Sequence, residues 1–356
     1  MKRILTLTAL SLVLCAGVAG AQELTDAQKA AAAAAAAIAE APKEKAEAPK
    51  PVYWTNSLMT NINFIQSSYE NWAKGGYDNY SISAYIDGNA NYKKEDFYWK
   101  NRLQLDFGVL HSEDKPLMQK NKDKILLESS VGADMTKTLS YTGKLTFLSQ
   151  FADGFTYKTP SGENPTKRDW KDARVLKSSL FSPAVITLGA GMTWTPKAWF
   201  STTLTPITGG LTIVTDESLR NVYGMEFKKG YTKDDLEFEE TGGLVRNGDI
   251  MRGVRFEFGA QLSLDAKVKI NDNFQANTQL ILFSNYLKNP QNLRVNWDNR
   301  FMWKVAKYFS LNLSTSLIYD DSVLIYKDGQ DEGVKAVQFY EALQFGFSYT
   351  FATKKA

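Results

Sequence analysis

Residues 255–270 alternate between two kinds of side chain, and this pattern limits the possible folds more than any other feature of the chain. Phe256, Phe258, Ala260, Leu262, Leu264, Ala266, Val268 and Ile270 fall on one face of an extended strand. Arg255, Glu257, Gln261, Ser263, Asp265, Lys267 and Lys269 fall on the other. Successive side chains of a strand point to opposite sides, whereas a helix would mix the two sets on one surface. Residues 99–109 repeat the scheme, with Trp99, Leu103, Leu105, Phe107 and Val109 against Lys100, Arg102, Gln104 and Asp106. So does the last strand, where Phe339, Leu343, Phe345, Phe347, Tyr349 and Phe351 oppose Gln338, Gln344, Ser348 and Thr350. A soluble barrel would turn the apolar face inward and a barrel in lipid would turn it outward. Both have the same period, so alternation alone does not separate them.

Loop lengths do. The pattern predicts twelve strands, at about 57–67, 80–93, 97–110, 125–137, 141–151, 182–195, 198–214, 254–270, 274–287, 293–304, 308–319 and 338–351. The connections at 94–96, 138–140, 196–197, 271–273 and 305–307 are tight. Those at 68–79, 111–124, 152–181, 215–253 and 320–337 are long, with 288–292 the short exception. Short turns at one end and long loops at the other describe an outer-membrane barrel with both termini in the periplasm. The expected fold class is therefore all-β: a closed antiparallel up-and-down transmembrane β-barrel of about twelve strands, over 53–351. Aromatic residues agree, since Tyr92, Trp99, Tyr141, Trp194, Trp199, Trp303 and Tyr308 gather at the short-turn ends. Tyr and Trp favour the headgroup level, where one side of the ring is apolar and the other hydrogen-bonds.

The remaining segments suit export. Lys2 and Arg3, the apolar run 4–18 and Ala19-Gly20-Ala21 read as a signal peptide over 1–21. Its removal takes the only cysteine, Cys15, and lowers Lys+Arg from 42 to 40 against 39 Asp+Glu. A chain so balanced offers no electrostatic case for nucleic acid. Residues 22–52 read as a periplasmic arm: a helix through the alanine run 30–37, begun by a capping box at Thr25 to Gln28, then a Pro/Lys/Glu spacer. Residues 344–351, Gln-Phe-Gly-Phe-Ser-Tyr-Thr-Phe, resemble the recognition strand read by the barrel-assembly machinery, with 352–356 left as a tail. The partners expected are thus outer-membrane lipid and, during biogenesis, that machinery.

Several motifs resemble one family of outer-membrane barrels from Bacteroidetes, catalogued as a domain of unknown function. They are Asn71-Trp72-Ala73-Lys74-Gly75-Gly76, Trp99-Lys100-Asn101-Arg102-Leu103, Phe181-Ser182-Pro183, Leu188-Gly189-Ala190-Gly191-Met192 and Leu204-Thr205-Pro206-Ile207-Thr208-Gly209. The likeness runs from about Trp54 to Tyr223. It implies location and fold, and it carries no catalytic residue.

Chemistry-bearing constellations are sparse. His111 is the only histidine, and a lone imidazole without an orienting partner reads as a solvated loop residue rather than a catalytic base. The acidic run Asp234, Asp235, Glu237, Glu239 and Glu240 reads as a charged loop, with Ca²⁺ as the sharper alternative. No catalytic residue, cofactor or metal site is expected. Pro206 with Gly209-Gly210 should disturb its strand, by an inward bend or bulge or by an early end. The face opposite the aromatics carries Lys100, Arg102, Asp106, Glu128, Asp134, Arg255, Glu257, Asp265, Lys267, Arg294, Asp298 and Arg300, with Asp87, Lys144 and Lys269 beside them. These are the residues expected to line the lumen. Twelve strands enclose a space between the filled eight-stranded and the open sixteen-stranded barrels. Mixed charges there either pair across it and plug it or line a narrow polar pore. The first gives a structural barrel that binds a protein partner by its long loops or arm. The second gives a porin-like channel for small polar solutes.

Overall fold

The computed structural model describes residues 52–68, 77–162, 164–240, 242–326 and 332–352. The signal-like segment, the alanine-rich arm, the motif 71–76 and the tail beyond 352 lie outside them. The described residues form fourteen strands: β1 (Trp54–Ser67), β2 (Asn79–Lys94), β3 (Phe97–Ser112), β4 (Lys115–Asp134), β5 (Leu139–Ser149), β6 (Gly154–Tyr157), β7 (Arg174–Ser178), β8 (Ala184–Lys197), β9 (Phe200–Ile213), β10 (Val254–Lys269), β11 (Phe274–Asn285), β12 (Leu293–Lys304), β13 (Phe309–Tyr319) and β14 (Gln338–Ala352). Twelve of them close an antiparallel barrel in the order β1-β14-β13-β12-β11-β10-β9-β8-β5-β4-β3-β2. β6 and β7 form a separate hairpin inside the loop between β5 and β8, beside a short helix α1 (Lys167–Asp172). Closure runs from Ser57 opposite Ala352 to Phe64 opposite Phe345, which leaves the barrel without a free edge.

The two faces are sorted as lipid would require. Leu188 is 64% and Phe256 60% exposed on the outside, whereas Lys144 is 6% and Glu257 3% exposed inside. Ile62, Ile207 and Leu343 continue the apolar outer surface, and Asn61, Ser83 and Gln344 the polar interior. Alternation that was ambiguous in the sequence is thus resolved: apolar side chains face outward. Among the described residues no helix is long and apolar enough to cross a membrane, which says nothing about crossing by strands. At the short-turn end, ring centroids of Trp54 and Tyr92 lie 5.3 Å apart, Trp199 and Phe200 5.8 Å, and Tyr349 and Phe351 4.5 Å.

One expectation changes and a second is met in part. The long loop at 111–124 is mostly strand, because β3 and β4 extend to a tight turn at Glu113-Asp114. Near Pro206 the strand neither ends nor bends inward. Register shifts on both flanks, between Ala190 and Met192 and between Gly259 and Gln261, mark a β-bulge in β9. Thr205 and Thr208 are both buried inside while Pro206 and Ile207 both lie exposed outside, so the extra residue is accommodated on the outer face. Gly209 and Gly210 then pair normally with Phe258 and Glu257.

The 214–253 connection has a core of its own. Leu219, Val222, Met225, Leu244 and Met251 pack with Val175 of β7, and Tyr326 of the following loop packs against them. Asn221 Nδ2 donates to Gly243 O and Tyr326 Oη, at 3.2 and 3.1 Å. This makes a folded cap at the loop end of the barrel.

Candidate functional site

The inward faces of the strands bring most of the expected lumen residues together. On one wall Arg102 of β3 makes a two-pronged contact with Asp87 of β2, its Nε and Nη2 lying 3.0 and 2.7 Å from the carboxylate oxygens. Its other nitrogen stands 4.0 Å from Glu128 of β4 and 3.8 Å from Asp265 of β10. Lys144 of β5 approaches Glu128 at 2.8 Å, and Gln279 of β11 donates to Glu128 and Asp265, each at 3.0 Å. The planar guanidinium suits such forked contacts, which is why Arg rather than Lys sits at the hub.

Several of these contacts span the lumen. β4 and β12 have five strands between them in either direction round the barrel, yet Lys124 Nζ lies 2.7 Å from Asp298 Oδ2. Arg300 of β12 reaches Asp106 of β3 at 3.2 Å, with its guanidinium 3.4 Å from the centre of the Tyr85 ring. Lys122 donates across to Gln344 of β14 at 2.9 Å. A third group stands beside the cap. Glu257 accepts from Arg294 at 2.7 Å and lies 3.5 Å from Arg255, and Arg294 also pairs with Asp320 at 2.7 Å. Arg255 ties the cap down, donating to Tyr223 O, Gly224 O and Ser322 Oγ at 2.9, 2.8 and 3.2 Å.

Two groups outside the strands record this packing. Burial alone would raise the Asp320 carboxyl, but Arg294 and hydrogen bonds from Ser322 outweigh it and hold the group below the usual carboxylate range. Burial in the cap pushes the Tyr223 hydroxyl up; it donates to Lys177 O at 2.8 Å.

Of the twelve expected residues, nine therefore belong to the three interior groups just described: Arg102, Asp106, Glu128, Arg255, Glu257, Asp265, Arg294, Asp298 and Arg300. Lys267 lines the cavity beside Asp265, without a salt bridge among the described residues. Lys100 and Asp134 stand apart near the short turns: Lys100 lies over the Tyr98 ring at 4.8 Å, and Asp134 pairs with Lys93 and accepts from Ser140 at 2.7 Å. Lys269 is likewise a rim residue, 2.7 Å from Asp272. Lys120, Lys122 and Lys124 were missed as interior cations because their segment read as loop.

The lumen is not filled. One cavity of about 460 Å³ runs past Arg102, Asp106, Lys267 and Arg300, and another of about 540 Å³ lies under the cap. Lys124 and Asp298 line both. His111, near the end of β3, packs edge-on against Tyr80 at 5.4 Å. In the acidic stretch, Asp235 closes a turn by accepting from Thr232 N at 2.7 Å. Among the described residues no cluster of three or more His, Cys, Asp and Glu side chains is placed to hold a metal ion.

A family of unknown function matches part of the chain. The model described as "Protein of unknown function (DUF3078)" covers residues 64–155, from the end of β1 to the start of β6. The motif at Trp99–Leu103 lies inside that span and those at 181–209 lie beyond it. No curated protein sequence matches. Among solved structures, the chain is similar to the translocator domain of the autotransporter NalP from Neisseria meningitidis, at 9% identity and a TM-score of 0.36, over 92% of this chain and 98% of that one. It is also similar to an outer membrane channel from Pseudomonas putida F1, at 11% identity and a TM-score of 0.35, over 85% and 96%. At that similarity neither neighbour says what this chain does.

Proposed function

We propose that the chain is an integral outer-membrane β-barrel whose lumen is closed at rest and opens to pass a solute, rather than a permanently open porin. The contact between Lys124 and Asp298, on opposite walls, carries this reading. An open pore would hold such groups apart in water. The apolar outer face, the aromatic short-turn end and the closed sheet support insertion in lipid. On this reading the signal peptide directs export, the short turns face the periplasm, and β14 is the strand read during assembly. No catalytic role is assigned to any residue.

Planar-bilayer recording of the refolded protein tests the closure. We expect no steady conductance from the wild type, and openings from the triple variant Arg102→Ser, Lys124→Ser, Arg300→Ser. Steady wild-type openings would refute closure. A triple variant that folds and stays silent would refute the network as the barrier. A second reading is a scaffold that binds a protein by its loops, favoured by the cap having a packed core. It is preferred if no variant of the network conducts.

A further inference from the structure

The part of the lumen nearest the cap presents mainly apolar surface, although Gln150, Gln261, Gln279 and Asn296 also line it. Leu126 of β4, Leu148 of β5, and Ile281 and Phe283 of β11 face inward there, with Leu126 and Phe283 buried. Val222 and Leu324 close over them from two different loops. The space they bound, about 540 Å³, falls within the range of small-molecule sites. Such sites are mainly apolar with a few polar groups that fix orientation. An aqueous vestibule gains nothing from aliphatic walls, because apolar surface facing water is unfavourable.

Electrostatics narrow the occupant. The charged groups around this chamber are compensated within the protein: Lys124 by Asp298, Arg294 by Glu257 and Asp320, Arg255 by Glu257. Lys177 is also engaged. An ionic ligand would have to separate one of these pairs and leave a partner buried alone, which is costly. An uncharged ligand leaves them intact. One polar atom in the wall is different: Thr146 Oγ1 is buried and has no hydrogen-bond partner among the described residues. The Thr146 side chain is on the inward face, and a turn about its Cα–Cβ bond would let a ligand with a single hydroxyl or carbonyl satisfy it.

We propose that this chamber binds an uncharged, mainly apolar small molecule carrying one hydrogen-bonding group, of the chemical class of an alkylated phenol. The inference names the solute for the closed barrel proposed above and so rests on that reading. It also departs from the polar solutes that the charged lumen face suggests in the sequence.

Calorimetric titration of the full-length mature protein in phospholipid nanodiscs tests it, with empty nanodiscs as the blank. The probes are thymol, p-cymene (the same skeleton without the hydroxyl) and 4-isopropylbenzoate (a similar size with a negative charge). We expect saturable thymol binding at one per barrel, and at least tenfold weaker binding of the carboxylate. Leu148→Trp, which fills the chamber, should lose at least tenfold in thymol affinity. Thr146→Val should weaken thymol several-fold and leave p-cymene unchanged. Heat-modifiable migration on gels reports folding of each variant. If Leu148→Trp does not fold, Ile281→Phe serves as the filling variant. Thymol uptake that is unsaturable, or unchanged in the filled variant, would overturn the site, and so would a preference for the carboxylate. Conductance is read separately. A conducting wild type that binds thymol refutes closure alone, whereas a silent barrel that binds none refutes the chamber alone.

Discussion

Leu262→Arg tests the orientation of the barrel wall. Leu262 lies near the middle of β10, with Leu204 of β9 and Leu282 of β11 as its register partners. All three share the outer parity with Phe256 and Phe258. An arginine placed there in a bilayer meets hydrocarbon near the midplane, which costs about 2–4 kcal/mol, falling to about 0–1 near the interface. Ile270, one residue beyond the end of β10 and 60% exposed, supplies the depth control. Each 1.4 kcal/mol is about tenfold in an equilibrium constant. Leu262→Arg should therefore lower the folding equilibrium by roughly 30- to 1,000-fold, and Ile270→Arg by about fivefold or less. The assay is urea titration of the protein folded into phospholipid vesicles, followed by tryptophan fluorescence and gel mobility. Lys267→Leu, on the lumen side, should leave the midpoint nearly unchanged. In a water-soluble barrel, an arginine on the outer face would stay within about 0.5 kcal/mol of wild type. Equal midpoints for Leu262→Arg, Ile270→Arg and wild type would refute the outward apolar face.

Four further outcomes are expected. Gly191→Ala should destabilise by about 1–3 kcal/mol in the same titration, because an added Cβ would lie 1.9 Å from Leu204 O beside the β9 bulge. Glu128→Gln alone should cost about 3 kcal/mol by stranding Lys144, and the pair Glu128→Gln, Lys144→Met should cost less than the single change; a double-mutant cycle checks this. Asp320 is held below its unfolded value of about 3.9, so its contribution is complete above that pH and lost as pH falls through the folded value. Asp320→Asn should accordingly lose less stability than wild type on acidification below about pH 4. Finally, on intact cells a cysteine at Gly162 or Asp235 should react with an impermeant maleimide and one at Asp272 should not; the reverse pattern would invert the topology.

The strands were legible because their two faces meet different solvents. Arg255 to Ile270 shows this without help, and β10 occupies almost the same span. The pattern is lost where that contrast disappears. Lys120, Asn121, Lys122, Asp123 and Lys124 are polar on both faces, so the pairing of β4 with β3 has no period to reveal it. Around the chamber the opposite occurs, and apolar residues become consecutive: Ile125-Leu126-Leu127, Phe147-Leu148 and Leu280-Ile281-Leu282-Phe283. Such runs interrupt the alternation because both faces are apolar, and they were the available signal for the chamber. Cross-lumen pairing was not legible at all. Lys124 and Asp298 are 174 positions apart, and Asp106 and Arg300 are 194. Which charges meet depends on register and closure, which composition does not encode. The cap core escaped for a related reason, since Leu219, Val222, Met225, Leu244 and Met251 follow no strand or helix period.

If the ion-paired network is the barrier proposed above, its chemistry suits an element that opens. Had the lumen been sealed with aliphatic side chains, opening would expose apolar surface at about 25 cal/mol per Å², with nothing to offset it. Ion pairs behave differently. Lys124 and Asp298 lose their mutual attraction on separation, but each regains hydration that the closed state withheld, and these terms are comparable in size. The closed and open states of such a barrier can therefore differ by little even though each group is well partnered when shut. Glu128 would make such a shut state specific: Lys144, Gln279 and Arg102 all converge on it, so no single contact fixes it alone. The apolar chamber lies on the cap side of that network and shares Lys124 and Asp298 with the cavity beyond. A ligand seated there would lie beside a pair that lines both spaces. Its binding can bias the barrier only so far as it favours one arrangement of that pair over the other, and the shared lining supplies the contact through which it would do so.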